Sequence, residues 1–190
     1  MELKNICKSF DGKTVLHDVS IKIEKGETVL ITGASGRGKT TLLRIMMGLT
    51  PPDSGELHNI GKSIAAVFQE DRLPNDFTPY VCVKMTAPHG VSKETILSHL
   101  AEVGLADCAN KPVSQLSGGM RRRVAIIRAV VCNADTVFFD EPFTGLDRDT
   151  KLKTIEYIKR HTQGKTLVFV SHDAEDETLL QARKIRIYHC

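Results

Sequence analysis

The hydrophobic pattern changes along the 190-residue chain. Near the N-terminus, apolar and polar residues alternate on both sides of the turn signal Asp11-Gly12, as in half-buried strands. Farther along, short apolar runs such as TVFFD and TLVFV alternate with segments of helical periodicity. The predicted strands are residues 2–10, 14–23, 28–32, 63–69, 136–140, 166–170 and 184–188. The predicted helices are residues 41–47, 92–105, 118–131, 147–160 and 173–182.

Strands that alternate with helices are typical of a parallel sheet covered on both faces. Residues 70–116 interrupt the alternation, because they open with the loop-like EDRLPNDFTP and contain one clear helical pattern. We therefore predict a single α/β domain over residues 1–190. It has a mainly parallel sheet, an antiparallel β region at the N-terminus and an inserted helical subdomain at about residues 70–116.

Composition narrows the class of protein only slightly. The chain is 41% hydrophobic and 26% charged, with a net charge of +3, which is too small to indicate nucleic-acid binding by itself. The five cysteines are far apart and form no Cys/His cluster, so neither a disulfide framework nor a zinc site is indicated and a reducing cytoplasm fits. The sequence has neither a signal-peptide core nor an apolar run near the ~20 residues of a membrane span. We expect any action at a membrane to go through a partner.

The stretch GASGRGKT, residues 33–40, fits the phosphate-loop pattern G-x-x-x-x-G-K-[ST] between a predicted strand and a predicted helix. In that motif backbone N–H groups face phosphate oxygens, Lys39 reaches the β- and γ-phosphates, and the Thr40 hydroxyl binds Mg²⁺. The alternative is a glycine-rich turn that matches by chance. The candidate phosphate-binding residues are Gly33, Ala34, Ser35, Gly36, Arg37, Gly38, Lys39, Thr40 and Thr41.

Polar residues follow other predicted strands. Asp140 and Glu141 end TVFFDEP, and adjacent carboxylates at a strand tip are costly unless a positive group faces them. Asp140 is interpreted as the acid that holds Mg²⁺ through water, and Glu141 as the group that polarises the attacking water. The alternative is a solvated strand end, and the His172 that ends VSH is by itself more often structural. Because parallel strands end at one edge, Gly33, Asp140 and His172 should meet there together with Gln69.

The stretch QLSGGMRRRVAIIRAVV, residues 115–131, is open to three interpretations. In the first, Ser117 caps an amphipathic helix. In the second, the arginines form a basic patch for nucleic acid. In the third, the bare backbone of Gly118 and Gly119 approaches a phosphate.

The phosphate loop, Gln69, LSGGM, FFDEP, GLD and His172 together resemble the ATP-binding cassette (ABC) ATPases in order and approximate spacing. The resemblance covers essentially the whole chain, and LSGG upstream of DEP is its most specific part. It implies a P-loop NTPase fold that hydrolyses ATP with Mg²⁺ in a head-to-tail dimer with two shared sites.

The resemblance also implies roles for individual residues. Phe10 would stack on adenine, and His172 would contact the γ-phosphate. Gln69 would contact Mg²⁺ and the attacking water, so that the catalytic set is Glu141, His172, Gln69 and Lys39 and the metal set is Thr40, Gln69 and Asp140. Ser117, Gly118 and Gly119 would contact the ATP of a second cassette, and Asp147 would lie in the loop between the two cassettes.

Three positions depart from the family pattern. Met120 stands where the signature usually has Gln, Arg37 stands at a position that is commonly small, and Phe10 replaces the commoner Tyr. The central catalytic positions are all present, which disfavours a non-hydrolysing regulatory cassette.

The inserted segment is compact, without the long coiled-coil or zinc-bearing insertions of repair-type cassettes, which favours a transporter subunit. VFQEDRL is similar to the corresponding stretch of importers for nitrate, sulfonate or taurine. The resemblance implies an importer subunit that is cytoplasmic and peripheral on the inner face of the cell membrane. The implied partners are a second copy or a paralogous cassette, an integral membrane permease and a solute-binding protein, with no nucleic acid. The alternative is a soluble ABC ATPase, such as one for iron–sulfur cluster assembly.

Overall fold

The computed structural model describes residues 1–34, 36–61 and 63–187. Its strands are β1 (Glu2–Phe10), β2 (Lys13–Lys22), β3 (Thr28–Thr32), β4 (Ser54–His58), β5 (Ile64–Val67), β6 (Thr136–Asp140), β7 (Thr166–Val170) and β8 (Arg183–Arg186). Its helices are α1 (Lys39–Met46), α2 (Pro79–Lys84), α3 (Lys93–Glu102), α4 (Gly118–Val131), α5 (Arg148–His161) and α6 (Glu175–Leu180). Two single 3-10 turns, Ala106–Cys108 and Val113–Gln115, lie between α3 and α4.

The strands form two sheets. The larger has the order β5-β6-β7-β3-β8, and all of its neighbouring strands are parallel. The smaller has the order β2-β1-β4 and is antiparallel. The predicted α/β fold, with a parallel sheet and an N-terminal antiparallel region, is confirmed.

Both faces of the parallel sheet are buried, as its continuous apolar strands predict. Successive side chains point to opposite faces, so Phe138 and Phe139 belong to different apolar clusters. Phe139 stacks on Phe169 of the next strand with ring centroids 4.4 Å apart, and this face packs against α4 and α5. Phe138 lies on the other face, in a cluster with α1 and the antiparallel sheet. Packing on both faces and pairing between neighbours therefore set where the ends of these strands lie relative to one another.

Sequence periodicity missed two elements. Strand β4 reads SGELH and has little apolar character, yet it pairs with β1, with Leu57 opposite Leu3. Gly55 allows this approach, because a Cβ there would lie 2.5 Å from the backbone oxygens of Lys4 and Asn5. Only the pairing with β1 identifies this edge strand.

Helix α2 lies within residues 70–116 and is too short to show a period. The Thr78 side chain accepts a hydrogen bond from the Val81 amide at 3.3 Å, and Pro79 occupies the first turn, where it needs no N–H partner. The dipeptide Thr78-Pro79 is therefore a start signal that the periodicity does not contain. Helices α2 and α3 pack against each other and against α4. The boundary of a subdomain at residues 70–116 stays a prediction.

Candidate functional site

The loops that follow four parallel strands leave the sheet at one edge. Val170 at the end of β7 lies opposite both Ile31 of β3 and Asp140 of β6, and Val67 at the end of β5 lies opposite Phe139. The residues that follow these ends surround a cleft of about 380 Å³. Its lining is Val15, Gly36, Arg37, Gly38, Lys39, Thr40, Thr41, Gln69, Glu141, Val170 and His172.

The glycine-rich loop between β3 and α1 forms one wall of the cleft. Gly36 and Gly38 have φ of +75° and +76°, in the left-handed region that favours glycine. Gly38 also packs closely, since a Cβ there would lie 2.7 Å from Cγ1 of Val15. No side chain caps α1, and its first turn contains no acidic residue, so its first N–H groups are available to an anion.

Lys39 lies across this loop. Its Nζ donates hydrogen bonds to the carbonyl oxygens of Gly33 at 2.8 Å and Ala34 at 3.0 Å. Burial is the main influence on the Lys39 pKa and lowers it, while Glu141 and Asp140 act in the opposite direction. Ser35 lies outside the described residues. A buried cation beside uncapped amides is the arrangement that suits a phosphate group.

Asp140 is almost fully buried at the tip of β6, with 3% of its surface exposed. The Thr40 hydroxyl donates to its Oδ1 at 3.3 Å, and burial raises the pKa of the Asp140 carboxyl. Thr40 and Gln69 line the cleft, and the buried Asp140 carboxylate reaches it through its hydrogen bond with Thr40, so together they offer the oxygen ligands that Mg²⁺ prefers. These residues fit a magnesium ion.

Glu141 and His172 face each other in the cleft, with Nε2 of His172 2.9 Å from Oε1 of Glu141. Glu141 has a φ of +50°, unusual for a residue with a side chain, and its amide donates to the Val170 oxygen at 3.0 Å. Burial raises the pKa of Glu141, and the neighbouring His172 and Lys39 partly offset this effect. The strained backbone and the strand end together direct this carboxyl into the cleft.

A buried ionic network supports the turn that carries His172. Lys151 of α5 donates to Asp173 and lies 2.5 Å from Oδ1 of the fully buried Asp176. The Ser171 hydroxyl donates to the other Asp176 oxygen, also at 2.5 Å. Sequence reasoning did not identify this network. Its only local signal is the run of acids after His172, and the lysine that pairs with them lies on another helix.

Helix α4 is anchored to the Gln69 segment by Arg122. The guanidinium donates to the Phe68 oxygen at 2.6 Å and to the Gln69 oxygen, and its Nε lies 3.1 Å from Oδ1 of Asp71. Arg122 is 7% exposed, although an arginine run predicts a solvated face.

The neighbours of Arg122 also donate hydrogen bonds to backbone oxygens. Arg121 donates to the Leu116 oxygen at 3.1 Å, and Arg123 donates to the Val103 oxygen at 2.5 Å. The arginine run is therefore engaged within the chain. Val103 and Leu116 lie on either side of the two 3-10 turns, so these arginines tie α4 to the segment before it.

The signature residues surround a second cavity of about 470 Å³. Ser117 caps α4 as predicted, accepting a hydrogen bond from the Met120 amide at 3.2 Å. Asp147, also on this cavity, caps α5 through the Thr150 amide at 2.9 Å. Among the described residues, this cavity and the Lys39 cleft share no lining side chain. The signature and the phosphate loop of one chain thus form separate surfaces.

The two signature glycines differ in their surroundings. A Cβ on Gly119 would lie 3.2 Å from the Gly145 oxygen and from the Leu146 side chain. A Cβ on Gly118 would meet nothing within 4 Å. Packing within the chain therefore explains the glycine at position 119 and gives no reason for the one at 118.

The structure also shows where the three residues that depart from the family pattern lie. Met120 packs against the larger apolar cluster, where a thioether side chain suits an irregular gap better than an amide. Arg37 lines the phosphate cleft. Phe10 lies at the end of the β1–β2 hairpin, 47% exposed, with the Lys8 ammonium 5.3 Å from its ring, and it does not line the cleft.

These features define a P-loop nucleotide-binding protein, and comparison with known proteins gives its family. The family model described as "ABC transporter" matches residues 16–144, and the chain belongs to this family of ATPases. Within the described residues, no helix is both long and apolar enough to cross a bilayer.

Two curated relatives carry importer names. The chain is 36% identical over 187 residues to the aliphatic sulfonates import ATP-binding protein SsuB 2 of Pseudomonas syringae pv. tomato, covering 96% of this chain and 80% of the relative. It is 36% identical over 202 residues to the spermidine/putrescine import ATP-binding protein PotA of Spiroplasma citri, covering 97% of this chain and 58% of the relative.

Solved structures show the same fold. A dimeric post-hydrolysis state of the ATP-binding cassette MJ0796, bound to ADP and Pi, superimposes with a TM-score of 0.84 at 30% identity, over 98% of this chain and 93% of that one. A bacterial Atm1-family ABC exporter with ATP bound gives a TM-score of 0.81 at 23% identity, over 93% of this chain and 35% of that one, which is a likeness of fold alone.

Proposed function

We propose that this chain is the nucleotide-binding subunit of an ABC importer, which hydrolyses MgATP in a head-to-tail dimer and acts on a separate membrane permease. The observation that carries the proposal is the cleft at the sheet edge, where Lys39, the Thr40–Asp140 pair and the Glu141–His172 pair converge. The family membership supports the ATPase activity.

The phosphate chain is held by backbone and by one cation. Lys39 exchanges its bonds to the Gly33 and Ala34 oxygens for phosphate oxygens, and the uncapped N–H groups of α1 face the same charge. The exposed ring of Phe10 is available to stack on the base. Thr40, Asp140 and Gln69 would hold a magnesium ion, which would neutralise the charge that develops on the phosphates.

Glu141 acts on the attacking water. Burial raises the pKa of this carboxyl above its ordinary 4.5, which makes the carboxylate a stronger base than an exposed one. The Glu141 carboxylate accepts a hydrogen bond from the water. His172, whose Nε2 lies 2.9 Å from Oε1 of Glu141, orients this carboxylate and can itself contact the terminal phosphate. The Lys151 network holds the His172 turn in place for this contact.

A second cassette completes each site. The separate signature cavity and the unexplained Gly118 fit a phosphate that another copy supplies, with Ser117 and Gly119 beside it. Asp147 lies on the same cavity, on the loop that would run between the two copies. The MJ0796 neighbour is a dimer, which supports this assembly. Binding of ATP would therefore close the dimer, and hydrolysis would release it.

The importer assignment rests on the relatives. The names of SsuB 2 and PotA both describe import ATP-binding proteins. By that analogy the chain works at the inner face of the membrane, bound to a permease that receives substrate from a solute-binding protein.

Replacing Glu141 with Gln tests the catalytic role. We expect Glu141→Gln to lower ATP turnover at least ~100-fold, the scale of a lost general base, and to leave an ATP-bound dimer detectable by light scattering. Glu156→Gln, at an exposed position of α5, is the matched control and should change neither quantity. Undiminished turnover in Glu141→Gln would contradict the role of Glu141.

The gene neighbourhood and reconstitution test the importer role. Adjacent genes for a permease and a solute-binding protein, and stimulation of ATP turnover by that permease in liposomes, are the expected results. Neighbouring genes for sulfur mobilisation, together with no stimulation by a permease, would instead support a soluble iron–sulfur assembly ATPase.

A further inference from the structure

A cluster of metal-ligating side chains lies where the C-terminal ends of α3 and α5 meet. His99 and Glu102 come from α3 and His161 from α5, and one ligand atom from each lies within 4.8 Å of the others. Nε2 of His161 is 2.8 Å from Oε2 of Glu102, and the rings of His99 and His161 have centroids 4.6 Å apart. The cluster is one α5 length, roughly 20 Å, from the Asp147 cap at the other end of that helix.

The helix spacing explains why these donors converge. His99 and Glu102 are three residues apart, so they lie on one face of α3. His161 is the last residue of α5, at the point where the two helices approach. The side chains of Glu102 and His161 are each 26% exposed and that of His99 is half-buried, so an ion can enter from solvent.

The donor set matches a known coordination chemistry. Two imidazoles and one carboxylate are a common ligand set for Zn²⁺, with bonds of about 2.0–2.2 Å and a fourth position open to water. Ligand atoms around such an ion lie about 3.3 Å apart, so rotamer adjustments of side chains at the surface can close the present spacing.

Neighbouring side chains supply the outer contacts. The Tyr157 hydroxyl lies 2.9 Å from Nδ1 of His99, and a hydrogen bond at one ring nitrogen is what fixes the orientation of a metal-binding histidine. Arg160 donates to Glu102 at 3.0 Å but is 64% exposed, so it can turn to solvent when Glu102 takes an ion.

We propose that His99, Glu102 and His161 bind one divalent ion of the zinc class, which links α3 to α5. The site is separate from Thr40 and Asp140, the residues that would hold a magnesium ion. The ion joins the helical segment before α4 to the α/β core, so its expected effect is on the packing of α3.

Direct titration of the metal tests the proposal. Chelator-treated full-length protein without nucleotide is titrated with Zn²⁺ by calorimetry and with Co²⁺ by visible absorption, which reports tetrahedral coordination. We expect one equivalent to bind at the cluster, with affinity lowered at least tenfold in His99→Gln and in His161→Gln. His58→Gln is the matched control, because that ring also lies 2.8 Å from a carboxylate, that of Glu56, but on an exposed strand. It should bind the metal as the wild type does.

Two further measurements keep the outcome decisive. His172→Gln separates the cluster from the nucleotide cleft, where a histidine also faces a carboxylate. Zn²⁺ should raise the melting temperature of the wild type but not that of Glu102→Gln. Because glutamine keeps the shape of the glutamate side chain, this variant provides the test if a histidine variant fails to fold. The proposal is overturned if His99→Gln binds as tightly as wild type, if only His172→Gln loses the metal, or if no binding tighter than millimolar occurs.

Discussion

Arg122→Met removes the buried cation that joins α4 to the segment around Gln69. The wild-type guanidinium contacts two backbone oxygens, those of Phe68 and Gln69, and the carboxylate of Asp71. Methionine fills a similar volume without a charge, so the variant isolates the loss of these polar contacts from the loss of packing. All three partners would stay in place with no donor to meet them.

The size of the effect follows from the burial of the pair. The side chains of Arg122 and Asp71 are 8% and 18% exposed, so the pair is nearly but not fully buried. Breaking a fully buried pair costs about 3–5 kcal/mol, and we take the lower end, about 3 kcal/mol. For a chain of this size that corresponds to a decrease of about 6–12 °C in melting temperature.

The pH dependence sharpens the prediction. Burial raises the pKa of Asp71 above its ordinary 3.8 even in the wild type, with Arg122 acting against this rise. Without Arg122 that pKa rises further, so the ionised carboxylate destabilises the folded state at neutral pH. The penalty is absent below the ordinary pKa of Asp71, where the folded and unfolded states are both protonated, and is fully present once the pH has risen through the raised pKa of the folded state. The difference between wild type and variant should therefore shrink in acid.

Denaturant and thermal unfolding of matched variants provide the assay. Arg121→Met is the control, because Arg121 makes one hydrogen bond to the Leu116 oxygen at 3.1 Å and should lose only about 1 kcal/mol. Asp71→Asn combined with Arg122→Met should recover part of the loss by removing the unpaired charge. The reasoning is refuted if Arg122→Met costs no more than Arg121→Met, or if its cost is the same at every pH.

Three other predictions concern the candidate site. Burial raises the pKa of Glu141 above its ordinary 4.5, so its ionisation destabilises the folded state as pH rises through the raised value. Glu141→Gln should accordingly be more stable than wild type near neutrality and equal to it in acid, as chemical denaturation at several pH values can measure. Lys151→Met should lower kcat roughly tenfold with little change in the KM for ATP in steady-state assays, because the His172 turn loses its buried cation. Lys151→Arg keeps the charge and should retain activity. Gly118→Ala should keep its stability within about 0.5 kcal/mol yet lose the ATP-dependent dimer, whereas Gly119→Ala should melt at a lower temperature because its Cβ meets neighbours at 3.2 Å.

Local patterns predicted the elements whose signals are strong within one segment. The fully buried runs at Thr136–Asp140 and Thr166–Val170 are strands with the predicted bounds, and Ser117 begins α4 as its capping chemistry indicates. The patterns missed β4, because its polar residues form a strand only through pairing with β1. They also missed α2, because that helix is shorter than two turns. The signal fails where an element depends on its neighbour rather than on its own residues.

The same distinction applies to the candidate site. The sequence placed Gly33, Asp140 and His172 after strands, and parallel strands bring such residues to one edge by a general rule. It also contains the family motifs, with departures at Met120, Arg37 and Phe10, and family membership is now established. It could not show where the Phe10 ring lies, because that depends on how the β1–β2 hairpin sits on the core; the structure leaves this ring 47% exposed at the end of that hairpin.

By itself, then, the sequence determined the fold class, the phosphate loop and the family, because each depends on residues that are adjacent or follow a regular period. Only the tertiary structure decided which side chains meet across long separations. Arg122 reaches the Phe68 oxygen 54 residues away, and Tyr157 reaches His99 across 58. No local pattern records such pairs, since hydrogen bonds and ion pairs depend on distance in space, and the packing of helices and strands sets that distance.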